Sequence, residues 1–199
     1  MLLVAAALAA AACASTAETS SGPPAPGPRP AIGPYTEADV HFMQGMIRHH
    51  AQAVLMAGWA PTHGASATLA TLAERIDVSQ KDEIALMSRW LRERNETVPD
   101  ADPSHAMHTM HDHFMPGMLT AEQLTELDAA RGTEFERLFL ILMIHHHQGA
   151  IAMAEELFQS PGGGQEEVIF RFASDVYADQ QADIDRMQQM LDTMTTGGS

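Results

Sequence analysis

The sequence contains little cysteine, lysine or aromatic residue. Cys13 is the only cysteine, which excludes an intramolecular disulfide and a zinc–thiolate cluster. Lysine and arginine together number 11 against 26 acidic residues, so the formal net charge is −15. Nucleic-acid backbones and anionic lipid head groups attract basic surfaces, so this balance argues against nucleic acid as a partner and against electrostatic docking on membranes. It favours the attraction of cations.

Residues 1–34 predict an export signal followed by a tether. Residues 2–12 form an apolar run that is too short to span a bilayer and ends in small residues before Cys13. Residues 1–13 thus resemble a lipoprotein-type signal peptide in which this cysteine is lipidated. A plain secretory signal with an incidental cysteine is the alternative. Residues 14–34 are rich in Ser, Pro and Gly and predict a disordered tether. We expect the protein in the cell envelope or periplasm, touching the membrane only through a lipid anchor.

A repeat organises the rest of the chain. Residues 46–57 and 143–154 are identical at seven of twelve positions with an offset of 97, and residues 76–91 match 176–191 with an offset of 100. Both pairs have helical periodicity, with breaks near 61–64 and 160–164. They predict hairpins over 36–95 and 121–194, joined by a crossover over 96–120. We expect an all-α domain over 35–194, a four-helix bundle built by duplication.

Helical spacing places histidine and methionine on the inward face of the first and third predicted helices. Gln52 falls on the outward side of the first helix. Polar residues also lie on the inward stripe of the other two helices, where we expect them to support metal ligands as a possible second shell. These are Gln80, Glu83, Gln180 and Asp183. The candidate ligands of the repeat are Met46, His49, His50, Met56, Met143, His146, His147 and Met153.

The crossover contains a second cluster of histidine and methionine, which is typical of a metal-binding tract. The alternative is a polar loop whose methionines pack on the bundle. By contrast, His41 and His63 are predicted to be lone surface histidines, and Met187 to belong to the core or to a fraying C-terminal tail. The candidate ligands of the crossover are His105, Met107, His108, Met110, His111, His113, Met115 and Met118.

The donor set indicates copper. Di-iron bundles need Glu-x-x-His on two helices, whereas this chain has Met46-x-x-His49 and Met143-x-x-His146. Thioether sulfur with imidazole selects Cu(I) and accepts Cu(II) through the nitrogens. We therefore expect a non-enzymatic copper-binding protein without catalytic residues. A metal oxidase or oxidoreductase of the same architecture, and a structural envelope module, are the alternatives.

The motifs Phe42–His50 with Met56, Met115–Met118 and Phe139–Met153 carry a family resemblance. In them the chain resembles the bacterial domain of unknown function 305, a ferritin-like family that includes CopM-type copper-binding proteins. The resemblance implies a four-helix bundle, export, and a role in copper homeostasis or resistance. It also implies copper ions and other copper-handling envelope proteins as partners.

Overall fold

The computed structural model describes residues 34–101 and 115–196, and their regular structure is entirely helical. The helices are α1 (Glu37–Trp59), α2 (Ala67–Glu93), α3 (Ala121–Ala129), α4 (Gly132–Gln159) and α5 (Glu167–Thr196). Helix α1 packs along α2, α4 packs along α5, and the two hairpins meet through α1 and α4. The all-α bundle expected from the repeat is confirmed. None of these helices is both long and apolar enough to cross a membrane.

A capping box starts α1 and also ties it to the second hairpin. Thr36 Oγ1 accepts a hydrogen bond from the backbone N–H of Asp39, and Asp39 Oδ2 accepts one from the backbone N–H of Thr36. The other carboxylate oxygen, Oδ1, accepts from the backbone N–H of Gly164 at 2.7 Å. Because Gly164 lies in the turn between α4 and α5, this one buried carboxylate joins the two hairpins.

The second half of the chain differs in one respect from the continuous hairpin expected over 121–194. The structure has the separate short helix α3 before α4, with Ala130 and Arg131 in extended conformations between them. Gly132 then takes a positive φ of 56°, and its N–H donates to the carbonyl of His63 at 2.8 Å. A left-handed glycine bonded to a distant carbonyl interrupts the helix here, and sequence periodicity does not register such a contact.

The prediction that His63 lies on the surface is wrong. Its side chain is buried, with Nε2 at 2.9 Å from the carbonyl oxygen and 3.0 Å from the carboxylate of Asp128. Its ring also packs 5.0 Å from that of Phe135. His63 therefore fastens the α1–α2 turn to α3 and α4, while His41 is exposed as expected.

The core consists of two apolar clusters, one toward each end of the bundle. One contains Met56, Met143 and Phe139, and the other contains Met46 and Met153. The grouping of Met46 with Met153 and of Met56 with Met143 means that α1 and α4 run antiparallel. The stretches of the four long helices between these clusters contribute buried polar side chains. The bundle is thus apolar at both ends and polar in the middle.

We predict that Asp39→Ala lowers the free energy of unfolding by about 3 kcal/mol, because it removes a helix cap and leaves the N–H of Gly164 unpaired. Glu37→Ala is the matched control, since this exposed acid in the same turn contributes under about 1 kcal/mol through the helix dipole. Urea unfolding followed by circular dichroism measures both. Equal losses in the two variants would contradict the proposed role of Asp39.

Candidate metal site in the bundle

Four buried histidines occupy the polar middle of the bundle. His49 and His50 extend from α1, and His146 and His147 extend from the corresponding turn of α4. The rings of His49 and His146, which are equivalent in the repeat, have their centroids 3.8 Å apart. Because α1 and α4 are antiparallel, the two copies of the motif face each other across an approximate twofold axis at this ring pair.

Each of the outer histidines faces a carboxylate on the neighbouring helix. His50 Nε2 lies 2.5 Å from Glu83 Oε2, and His147 Nε2 lies 3.7 Å from Asp183 Oδ2. Asp183 also forms an ion pair with Arg75, which competes for its charge. Carboxylates that contact metal-binding histidines typically orient the ring. The contacts therefore fit the supporting position expected for Glu83 and Asp183.

Most of the unpaired polar atoms of the protein interior are in this layer. Of the eight buried side-chain nitrogen and oxygen atoms that lack a hydrogen-bond partner in the described residues, seven belong to it. Such atoms are costly to bury without a partner, and here they are concentrated in one place. An imidazole nitrogen without a protein partner can donate its lone pair to a metal. The seven are His50 Nδ1, both ring nitrogens of His146 and of His147, and Oε1 of Gln80 and of Gln180.

Burial favours the neutral form of three of these imidazoles, those of His49, His146 and His147. Desolvation, helped by neighbouring histidines, lowers the pKa of His49 and that of His147 to about 3, and it lowers the pKa of His146 well below 6.5. Burial raises the pKa of Glu83, but the hydrogen bond and charge of His50 and the hydrogen bond from Ser79 outweigh it, so the net shift is downward. Neutral imidazole is the form that binds metal, so the layer is ready to bind at neutral pH.

The methionines of the repeat lie in the apolar clusters on the two sides of this layer. Met46, Met56 and Met143 are fully buried, and Met153 is nearly so. Among the described residues, no three His, Cys, Asp or Glu side chains are close enough together to hold a metal ion. An ion in this layer therefore needs a thioether as well as imidazole, or a change of rotamer.

The end of the crossover packs directly on the histidine layer. The Pro116 carbonyl lies 3.0 Å from His49 Nε2 and accepts its hydrogen bond in the matching tautomer. Gly117, with φ of 75°, sits so close to α4 that a Cβ atom there would come within 2.7 Å of Gly149 Cα. Only glycine allows this approach. Met115 and Met118 thus lie beside the layer. The candidate ligands of the crossover from His105 to His113, and Cys13, lie outside the described residues.

The prediction that Gln52 faces outward is wrong. Helical spacing predicts that it lies on the outward side of α1, but its side chain is completely buried. Its amide accepts from the backbone N–H of Leu119 at 2.8 Å and donates to the carbonyl of Leu119 at 3.1 Å. Gln52 therefore holds the crossover against the bundle. Gln52 aligns with Gly149 in the repeat, and both positions contact the end of the crossover. Gln52 bonds to Leu119, and Gly149 packs against Gly117.

The family model described as "Domain of unknown function (DUF305)" matches residues 39–191. The chain belongs to the DUF305 family. A DUF305 fragment from Deinococcus radiodurans is 28% identical, with a TM-score of 0.68 over 80% of this chain and 98% of that one. A candidate secreted DUF305 protein from Streptomyces coelicolor is 28% identical, with a TM-score of 0.66 over 77% and 91%.

CopM in its Cu(II)-bound form is also similar. It is 30% identical, with a TM-score of 0.64 over 78% of this chain and 97% of that one. CopM has also been solved in Cu(I)-bound and silver-bound forms. No curated protein matches the chain. The family resemblance expected from the paired histidine motifs is confirmed.

The buried histidines predict an acid-sensitive apoprotein. The pKa of His49 and of His147 is about 3 in the folded state and about 6.5 in the unfolded state, so between these values the unfolded state binds more protons. The free energy of unfolding is therefore undiminished by these histidines above about pH 7. Below pH 6.5 it decreases by up to about 1.4 kcal/mol per pH unit for each histidine. Urea unfolding of the metal-free protein at several pH values between 7.5 and 5 measures the slope.

Replacing one member of the layer provides the control for this slope. His147→Leu removes one titrating group and should reduce the slope between pH 6.5 and pH 5 by about one proton. Carboxylates of ordinary pKa contribute little in that interval. A stability that stays constant from pH 7.5 to pH 5 in the unsubstituted protein would contradict the neutral, buried state of these histidines.

Proposed function

We propose that this DUF305 protein is an exported copper-binding protein that sequesters or buffers copper, or passes it to other copper-handling envelope proteins. The observation that carries the proposal is the concentration of unpartnered imidazole nitrogens in one buried layer. The similarity to CopM, whose structures contain Cu(II), Cu(I) and silver, supports the same ion. The negative net charge favours the accumulation of cations at the surface.

The surroundings of the layer favour Cu(I) over harder ions. Two thioethers of the repeat lie in the apolar cluster on each side of the histidines, so soft donors are available from both directions. Copper bound here would be held by His49, His146 and His147 together with methionine sulfur. Cu(II) would rely mainly on the nitrogens. When bound, the ion would take the lone pair of one unpaired ring nitrogen of each ligand histidine, since the other nitrogen of a neutral imidazole carries the proton.

The carboxylates of the layer favour binding over oxygen chemistry. Oxygen-activating di-iron bundles use Glu side chains as direct metal ligands. Here Glu83 accepts from Ser79 and bonds to His50, and Asp183 is paired with Arg75. Both carboxylates are therefore occupied in orienting other side chains.

Export and lipid anchoring rest on the sequence of the first 34 residues. The apolar run at 2–12 and the small residues before Cys13 support a lipoprotein signal, and the following tether would separate the bundle from the membrane. The similar candidate secreted protein from Streptomyces coelicolor supports export.

His146→Leu tests the copper site with little risk to the fold. Neither ring nitrogen of His146 has a hydrogen-bond partner within residues 34–101 and 115–196, so leucine removes a proposed ligand without breaking a hydrogen bond seen there. We expect the apoprotein to unfold at the same or a higher urea concentration, because two unsatisfied buried atoms are lost. We expect the Cu(I) affinity to fall at least tenfold in competition with a colorimetric Cu(I) chelator.

His63→Leu is the matched control, because His63 is buried but lies outside the layer and has hydrogen-bond partners. It should retain the copper affinity of the unsubstituted protein while losing about 2 kcal/mol of stability. If the unsubstituted protein binds less than one equivalent of Cu(I), the proposed function fails. The same conclusion follows if His146→Leu binds copper as tightly as the unsubstituted protein.

Cys13→Ser tests the lipid anchor. With the cysteine in place, we expect the expressed protein in the membrane fraction and labelled by a clickable palmitate analogue. The substituted protein should lose the label and move to the soluble fraction. A protein with Cys13 that is exported but unlabelled and soluble would instead support the plain secretory signal.

A further inference from the structure

A cavity of about 190 Å³ opens beside the first half of α1. Its lining includes the methionines Met115 and Met153, together with His41, Gly45 and Glu156. The presence of two thioethers and one imidazole at a solvent-accessible cavity distinguishes it from the closed histidine layer. It is large enough for an ion with part of its hydration shell.

Gly45 creates the space in which the two methionines meet. A Cβ atom on Gly45 would lie 3.1 Å from Met153 Cε and 3.6 Å from Met115 Sδ. Both side chains therefore reach the same point on the surface of α1, one from α4 and one from the end of the crossover. Two thioethers directed to one accessible place are a suitable pair of ligands for a soft monovalent ion.

The two repeats differ at two of the positions that line the cavity. Gly45 aligns with Leu142 in the second repeat, and His41 aligns with Leu138. Both leucines are buried, so apolar side chains fill the equivalent position. Met56, which is equivalent to Met153, is fully buried in the core. The first repeat thus departs from the second at the two positions that open the cavity and supply its imidazole.

The cavity is also joined to the buried layer through a single loop. Met115 lines the cavity, and the next residue, Pro116, accepts the hydrogen bond from His49 Nε2. An ion bound by Met115 would therefore lie one residue from the contact that holds the first histidine of the layer. The carboxylate of Glu156 and the net charge of −15 favour cation entry here.

We propose that this cavity is a loading site, where Cu(I) first binds Met115, Met153 and His41 before it reaches the buried histidines. The inference rests on the proposed function, which it extends from storage to uptake. The ion enters and leaves by ligand exchange and remains Cu(I) throughout. Ag(I) has the same charge and preference for thioethers, so it is a redox-stable probe of the same site.

Two variants test the cavity without altering the histidines. Met153→Leu removes one thioether. Gly45→Ala narrows the space, and since the nearest atom is the flexible end of Met153, the fold can accommodate the added methyl group. Met187→Leu is the control, because Met187 is fully buried in the apolar core and is not part of the cavity lining.

The first measurement is the rate at which Cu(I) passes from a colorimetric chelator to the protein. We expect Met153→Leu and Gly45→Ala to slow the transfer at least fivefold, and Met187→Leu to match the unsubstituted protein. The second is a titration of Ag(I) into protein labelled with ¹³C in the methionine methyl groups. The signals of Met115 and Met153 should shift before those of the other methionines.

Unchanged transfer rates in both cavity variants, or Ag(I) shifts that begin at buried methionines such as Met46, would overturn the loading site. The proposed function would then still stand if His146→Leu weakens equilibrium binding of Cu(I). If the unsubstituted protein binds neither Cu(I) nor Ag(I), the loading site and the proposed function both fail.

Discussion

The burial of four histidines in the middle of a small bundle is the constraint on which the rest of the structure depends. A buried imidazole nitrogen without a partner is unfavourable, and both ring nitrogens of His146 lack one among the described residues. The apolar clusters at both ends supply the hydrophobic stabilisation that allows the bundle to tolerate this layer. The interior is therefore divided by role, with packing at the ends and polar chemistry in the middle.

The sequence predicted the fold and the buried histidines well because both follow from local patterns. Helical spacing determines which residues of α1 and α4 share a face. The duplicated His-His pair marks the positions of that face that we predict to be metal ligands. The predictions that Gln52 and His63 face the solvent are wrong because each side chain forms hydrogen bonds to a segment distant in sequence. Gln52 bonds to Leu119, and His63 bonds to Asp128. Periodicity within one helix contains no information about partners more than sixty residues away.

Glycine explains the other features that the pattern could not reveal. The contact of Gly117 with Gly149 brings the end of the crossover onto α4, and Gly45 opens the cavity on α1. In a sequence these residues mark only the absence of a side chain, so their effect depends on what approaches them. The methionines that do so come from other segments. Met115 and Met153 can be named as candidate ligands from the sequence, but their approach to each other beside Gly45 cannot be predicted from it.

Duplication accounts for the symmetry of the layer, and departures from it account for the direction of access. The His49–His146 contact joins equivalent residues, as expected when two copies of one hairpin pack face to face. A fully symmetric bundle would be equally closed on both sides. The first copy has His41 and Gly45 at the cavity, whereas the second copy has the buried side chains of Leu138 and Leu142 at the equivalent positions. The apolar contacts of the second copy continue to stabilise the bundle. The first copy can therefore lack such contacts at the cavity, where we propose that an ion enters.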